Sequence, residues 1–227
     1  MKGLLSMLLA LVSLTFPCRE CLSGDESHRV YACGKSDGNE LALTFDDGPH
    51  PEYTPQILDI LKNNGVKATF FVIGKNAELY PELVERMVRE GHTVGNHTYT
   101  HRPIHEQKEE GFYRDVLKNR SLLSGFSVKD GLFRPPGGVC DEKVLALGKK
   151  LDYDVILWTV DTEDWKAPAT ERIVNAVLQN VKGGDIILMH DYVAGQSNTP
   201  AALEELLPAL LEKGYTFLTV DQLLLKD

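Results

Sequence analysis

From Glu40 to the C-terminus the chain alternates short apolar runs with longer amphipathic stretches, a rhythm that few folds accommodate. The runs at 41–45, 69–73, 93–96, 132–134, 155–160, 185–189 and 215–218 read as strands. The stretches between them are punctuated as helices. Thr54-Pro55 opens one that stops at Asn64-Gly65, Pro81 opens one stopped by Gly91, and Thr199-Pro200 opens one stopped by Gly214. Strands separated by helices run parallel, because the crossover brings the chain back to start the next strand in the same direction. The expected fold is therefore α/β: a distorted (β/α) barrel, TIM-barrel-like, with about seven parallel strands.

A chain of 227 residues, 43% hydrophobic and 25% charged, supplies one sizeable core, so a single main domain is expected over residues 40–227. Residues 1–22 begin with Met1 and Lys2 and continue into an apolar stretch from Leu4 to Phe16, broken by Ser6, Ser13 and Thr15. That pattern reads as a signal peptide or, if uncleaved, as an N-terminal anchor, with residues 23–39 as a lead-in segment. The expectation is an exported protein, secreted or associated with the cell envelope, that meets a membrane only through this first segment. In an oxidising compartment a disulfide among Cys18, Cys21 and Cys33 is possible, and the sequence does not choose the pair. A net charge of −9 lacks the clustered basic face of a nucleic-acid binder, so no nucleic-acid partner is expected. The oligomeric state is not legible.

Ionisable residues line up against the ends of these strands. Asp46 and Asp47 follow the first, His97 the third, Arg134 ends the fourth, Asp164 follows the fifth and His190 the sixth. In a barrel of parallel strands the C-terminal ends converge on one mouth, where active sites are built. His97 and His101 are four apart, which on a helical turn would set both imidazoles on one side. With a carboxylate they would make an open three-ligand metal site; alone, such a pair is equally a surface or capping feature. The adjacent Asp46 and Asp47 precede a Gly-Pro turn and read either as a solvated turn or as a division of labour, one carboxylate on a metal and the other a base.

The run Thr44 to Pro49, the segment His97 to His101, Phe133-Arg134-Pro135-Pro136, Asp161 to Trp165 and Leu188-Met189-His190 resemble, in order, the five motifs of the polysaccharide deacetylases, carbohydrate esterase family four. The resemblance spans roughly Glu40 to the C-terminus. It implies a hydrolase that removes acetyl groups from the amino sugars of a polysaccharide such as peptidoglycan or chitin. It further implies that Asp47, His97 and His101 hold a divalent metal, usually zinc, though cobalt, nickel or manganese suit the same donors. Asp46 would be the general base, Arg134 its partner, His190 the acid that protonates the leaving nitrogen and Asp164 the partner of His190, with Asp161 competing for that role. The Gly137 N–H would help stabilise the oxyanion and Leu188 would line the acetyl pocket.

Gly137 departs from the pattern, standing where many relatives carry an aromatic residue, which leaves the sugar groove short of a wall. Trp165, after the rim carboxylate, is the better candidate for a sugar platform, whereas Trp158 reads as buried strand packing. His50 reads as peripheral to the metal loop or exposed, and His28, His92 and His105 read as surface residues. Two other functions compete: hydrolysis of a non-sugar amide on the same scaffold, and a catalytically silent wall-binding module, which would be expected to have lost one of Asp46, Asp47, His97, His101 or His190.

Overall fold

The computed structural model describes residues 29–35 and 38–225. The expectations for residues 1–22, and for Cys18 and Cys21, lie outside them. Cys33 is disulfide-bonded. Nine strands are present among the described residues: β1 (Val30–Tyr31), β2 (Glu40–Asp46), β3 (Thr69–Val72), β4 (Thr93–Asn96), β5 (Leu132–Phe133), β6 (Asp154–Ile156), β7 (Val160–Asp161), β8 (Ile186–His190) and β9 (Thr216–Leu218). All pair in parallel, in the order β1-β6-β5-β4-β3-β2-β8-β7, with β9 on the first half of β2. The helices are α1 (Tyr53–Asn63), α2 (Gly74–Leu79), α3 (Pro81–Arg89), α4 (Glu109–Ser124), α5 (Glu142–Leu151), α6 (Thr170–Leu178), α7 (Thr199–Glu212) and α8 (Val220–Leu224). None of them is long and apolar enough to cross a membrane.

Two departures from the expected pattern explain the shape. The segment expected as a lead-in supplies β1, which pairs with β6 at the edge of the sheet. The run 155–160, expected as one strand, is split: β6 belongs to one end of the sheet and β7 to the other, where it pairs with β8. Residues 157–159 therefore cross from one end of the sheet to the other, a reach of at most about 14 Å for the four steps from Ile156 to Val160. A connector so short forces the parallel sheet to curl into a distorted half-barrel. Leu157 N–H bonds the Tyr31 carbonyl and Thr159 N–H the Ile186 carbonyl, one bond to each side of the gap.

Both faces of the sheet are buried, as parallel strands require, and side-chain alternation sorts the residues between them. Leu41, Leu43, Phe45, Phe70, Val72, Ile187 and Met189 pack outward against α1, α6 and α7, whose buried residues include Ile57, Leu61, Ile173, Val177, Leu203, Leu206 and Leu210. Ala42, Phe71, Leu132, Ile156 and Ile186 fill the inside of the curl with Val220 and Leu223 of α8. Counting by twos along the inner face from Ala42 gives Thr44 and Asp46; from Ile186 it gives Leu188 and His190; from Leu132 it gives Arg134. The parity that buries the apolar floor thus sends the ionisable residues to the mouth above it.

Gly95 of β4 lies opposite Phe71, and a Cβ there would sit 2.6 Å from the Phe71 ring. Phe71 is fully buried and has no room to retreat. Gly95→Ala is expected to destabilise the fold by about 1–3 kcal/mol through overpacking, read from urea unfolding of the variant against the parent.

Candidate active site

Asp46 and His190 are the last residues of adjacent strands and are direct register partners. Arg134, fully buried, reaches across the mouth to Asp46: its Nη1 lies 2.8 Å from Asp46 Oδ1 and 2.8 Å from Thr44 Oγ1. Its remaining donors go to the carbonyls of Ile156 (3.2 Å) and Leu157 (3.0 Å), and its guanidinium lies over the Phe71 ring at 4.2 Å. Arg134 is therefore an interior ion-pair partner, not a surface salt bridge.

Asp47 follows directly, with φ of 76°. Its Oδ1 is buried and makes no well-aligned hydrogen bond, while His97 Nε2 lies 3.4 Å and His101 Nε2 3.2 Å from it. His97 Nδ1 donates to the Arg134 carbonyl at 2.7 Å, so its Nε2 is the nitrogen that faces the carboxylate. Two imidazole nitrogens and an orphaned carboxylate oxygen, all within 4.8 Å of one another, could hold a divalent metal ion with positions left open. The electrostatics agree. Burial lowers the His97 imidazole, yet the charges of Asp46 and Asp47 more than offset it and hold it above its ordinary range. Burial, then the charge of His97, holds the more open His101 below its ordinary value. Burial acts to raise the Asp47 carboxyl, but its contact with His97 and the charges of His97, His101 and His190 keep it low.

The two histidines do not meet on a helical turn. Residues 97–101 form an irregular loop in which Thr98 (φ 63°) and His101 (φ 54°) are left-handed. Asparagines that sequence reasoning missed hold it. Asn96 Oδ1 accepts Thr98 N–H at 2.9 Å, and Asn119 of α4 donates to the carbonyls of Val72 and Thr98 and to Asn96 Oδ1 at 2.9–3.0 Å. Asn76 Nδ2 donates to the Asp47 carbonyl at 2.7 Å. Asn119 had a signal in the sequence, a polar residue on the buried stripe Phe112, Val116, Asn119, Leu123 of an amphipathic helix. Asp191 was also missed. Fully buried, it accepts Gly48 N–H (3.0 Å) and the Thr54 hydroxyl (2.6 Å), and a Cβ at Gly48 would sit 2.0 Å from its Oδ2. Burial pushes its carboxyl up to about 7.

On the other side of the mouth His190 Nδ1 lies 2.7 Å from Asp164 Oδ1, and Asp164 Oδ2 accepts His190 N–H (2.8 Å) and the Thr199 hydroxyl (2.7 Å). Asp161, the competing candidate, is exposed and accepts Glu163 N–H instead. Burial lowers the His190 imidazole, but the bond and charge of Asp164, with the charges of Asp46 and Asp47, raise it to about 9. Leu188 is buried two residues below on the same strand face, Gly137 is exposed with φ of 65°, and Trp165 is half-exposed. Trp158 is corrected: it lies in the crossing 157–159, half-buried, over the Arg134 guanidinium at 5.5 Å and against Gly138. His92 is corrected too. It is buried, its Nδ1 accepts Ala68 N–H at 3.1 Å, and burial lowers it to about 4. His50 is half-buried beside the metal loop, His105 is exposed, and His28 lies outside the described residues.

A charge-paired carboxylate and an imidazole oriented by a second carboxylate thus stand on neighbouring strands, beside three donors that could hold a cation, at the mouth of a β/α half-barrel. Residues 34–156 match the family model described as polysaccharide deacetylase, and the chain belongs to that family. It is 42% identical over 186 residues to a peptidoglycan-N-acetylglucosamine deacetylase of Bacillus cereus, covering 81% of this chain and 87% of that one. A chitooligosaccharide deacetylase of Sinorhizobium fredii is 39% identical over 194 residues, 79% of this chain and 89% of that one. Among solved structures, the Bc1960 peptidoglycan N-acetylglucosamine deacetylase, in complex with a hydroxamate-type ligand, superposes with a TM-score of 0.83 at 37% identity, over 87% of this chain and 94% of that one. The chain is thus a hydrolase of carbon–nitrogen bonds, an N-deacetylase.

Two outcomes follow from the paired charges. Folding raises His190 from its ordinary 6.5 to about 9, so the associated stabilisation is complete below pH 6.5 and is lost as pH rises through 9. In the chelated protein the His190 ring resonance is expected to titrate near 9, and Asp164→Asn should bring that midpoint down, as NMR would record. Arg134→Met strips a buried carboxylate of its partner and is expected to cost about 3–5 kcal/mol in urea unfolding.

Proposed function

We propose that this chain removes N-acetyl groups from amino sugars of a polysaccharide, peptidoglycan or a chitin-like polymer, releasing acetate and leaving a free amine. The observation that carries the reading is the register pairing of Asp46 with His190, each held by its own buried counter-charge, Arg134 and Asp164. Asp47, His97 and His101 would hold the divalent ion; two nitrogens and one oxygen suit zinc, and equally cobalt, nickel or manganese. Such an ion supplies a Lewis acid for the amide carbonyl and acidifies water.

The chain's own residues supply the proton traffic. Arg134 occupies Asp46 Oδ1, which leaves Oδ2 to accept the proton of a water as its oxygen adds to the acetyl carbon. The Gly137 N–H, at the exposed turn after Pro135-Pro136, is the candidate donor to the oxyanion that forms. Asp164 fixes His190 through Nδ1, so Nε2–H is the proton available to the sugar nitrogen as the carbon–nitrogen bond breaks. Leu188 walls the acetyl methyl from below and Trp165 offers an exposed ring to the sugar. The polymer lies outside the cytoplasm, which fits the apolar N-terminal segment as an export signal or anchor.

Acetate release from peptidoglycan and from chitin oligomers should vanish on chelation and return with zinc, and the better polymer names the substrate. Asp46→Asn is expected to lower the rate about 10²–10⁴-fold while calorimetry still finds the metal bound. Release that survives chelation, or that Asp46→Asn leaves intact, would sink this reading.

A further inference from the structure

Trp165 and Tyr192 are the two exposed aromatic side chains among the described residues, and both border the proposed acid pair: Trp165 follows Asp164 and Tyr192 stands two beyond His190. Tyr192 belongs to a fixed cluster. Its ring meets the edge of His50 at 4.9 Å between centroids, and His50 stacks on Tyr53 at 4.7 Å and 19°. His50 is pinned at three points, its N–H bonding Thr54 Oγ1 (2.8 Å) and its Nδ1 accepting the N–H groups of Glu52 (3.1 Å) and Tyr53 (3.3 Å). The Tyr53 hydroxyl donates to the Gly195 carbonyl at 3.0 Å, tying the loop after β2 to the loop after β8. Behind the rings, Asp191 bonds Gly48 and Thr54 and so joins the same two loops. These are the loops that carry Asp47 and follow His190.

A pyranose ring has an apolar C–H face and a rim of hydroxyls, and it packs best on a flat ring already held in place, since ordering a loose one would consume the gain. Tyr192 meets that need. With Nδ1 accepting, the neutral His50 ring carries its proton on Nε2, a donor suited to a sugar hydroxyl. We propose that Tyr192, backed by His50 and Tyr53, is a stacking platform for a polymer sugar next to the one that is deacetylated, on the metal-loop side of the centre. The proposal rests on the polysaccharide reading above. A platform displaced from the reacting sugar makes affinity grow with chain length.

The test is calorimetric titration of zinc-loaded Asp46→Asn protein with N-acetylglucosamine itself and with its di- and tetrasaccharides. Affinity should rise from the monosaccharide to the disaccharide, and adding Tyr192→Ala, at an unchanged Tm, should weaken the di- and tetrasaccharide about tenfold and the monosaccharide far less. Tyr192→Phe, which keeps the ring, should retain the parent affinity. Equal binding of the tetrasaccharide with and without Tyr192, or a loss for the monosaccharide equal to that for the longer sugars, overturns the platform, as does no binding at any length. If the parent binds with the expected length dependence but the enzyme with Asp46 intact releases no acetate, the platform stands and the deacetylation reading falls.

Discussion

The structure turns on the ion pair between Arg134 and Asp46. Burying two charges is costly, and the attraction between them offsets that cost only when every other donor is also met. Here the guanidinium bonds Asp46, Thr44 and the carbonyls of Ile156, the last residue of β6, and Leu157, the first residue of the segment that joins β6 to β7. Those carbonyls stand where β6 gives way to the short crossing that brings the sheet's two ends together, so the group that pairs the proposed base also fastens the curl of the barrel. Phe71 beneath it completes the floor, and Gly95 is small so that Phe71 can lie there. Function and closure are thus coupled through one side chain.

The site around this pair is rigid because strained backbone is held at several points. Asp47, Thr98 and His101 all adopt positive φ, a conformation that costs of order 1–3 kcal/mol for residues with a Cβ. Asn76, Asn96 and Asn119 bond the backbone at or beside these residues, and Asp191 holds Gly48, so the strained loops are over-determined by buried side-chain bonds. A cation site built this way keeps its donors converged instead of gathering them from flexible loops, the condition under which electrostatic stabilisation costs least at the moment of reaction.

Strand ends were legible in the sequence because apolar runs and cap signals are local. The inner face followed from them, since alternation by twos places Asp46, Arg134, Leu188 and His190 with the apolar floor. What failed depends on contacts between distant segments. Two valines and an isoleucine made 155–160 look like one strand, although curvature splits it between the sheet's two ends. β1 was missed because two residues carry no periodicity. His92 and Trp158 were misplaced because a ring that bonds Ala68 N–H, or one laid over a guanidinium, gives no sign in its flanking residues. His97 and His101 were expected together on a helical turn; they lie close together on a loop with left-handed residues, and the asparagines that pin it, from β4 and α4, lie partly about twenty residues away.

The adjacent aspartates show how one backbone angle decides a site. In an extended strand neighbouring side chains point to opposite faces, so Asp46 inward would send Asp47 outward, toward the helices that cover Phe45. The strand ends at Asp46, and the φ of 76° at Asp47 turns its carboxylate back toward the mouth, where His97 and His101 wait. Two like charges then share a pocket, each with a positive or polar neighbour of its own: Asp46 faces the fixed Arg134 guanidinium, and Asp47 faces His101. His97 Nε2, 3.7 Å from Asp46 Oδ2 and 3.4 Å from Asp47 Oδ1, lies between them, and their charges hold its imidazole above its ordinary range against the effect of burial. Positive charge at that point relieves the repulsion between the two carboxylates, a role that a divalent ion held by Asp47, His97 and His101 would fill.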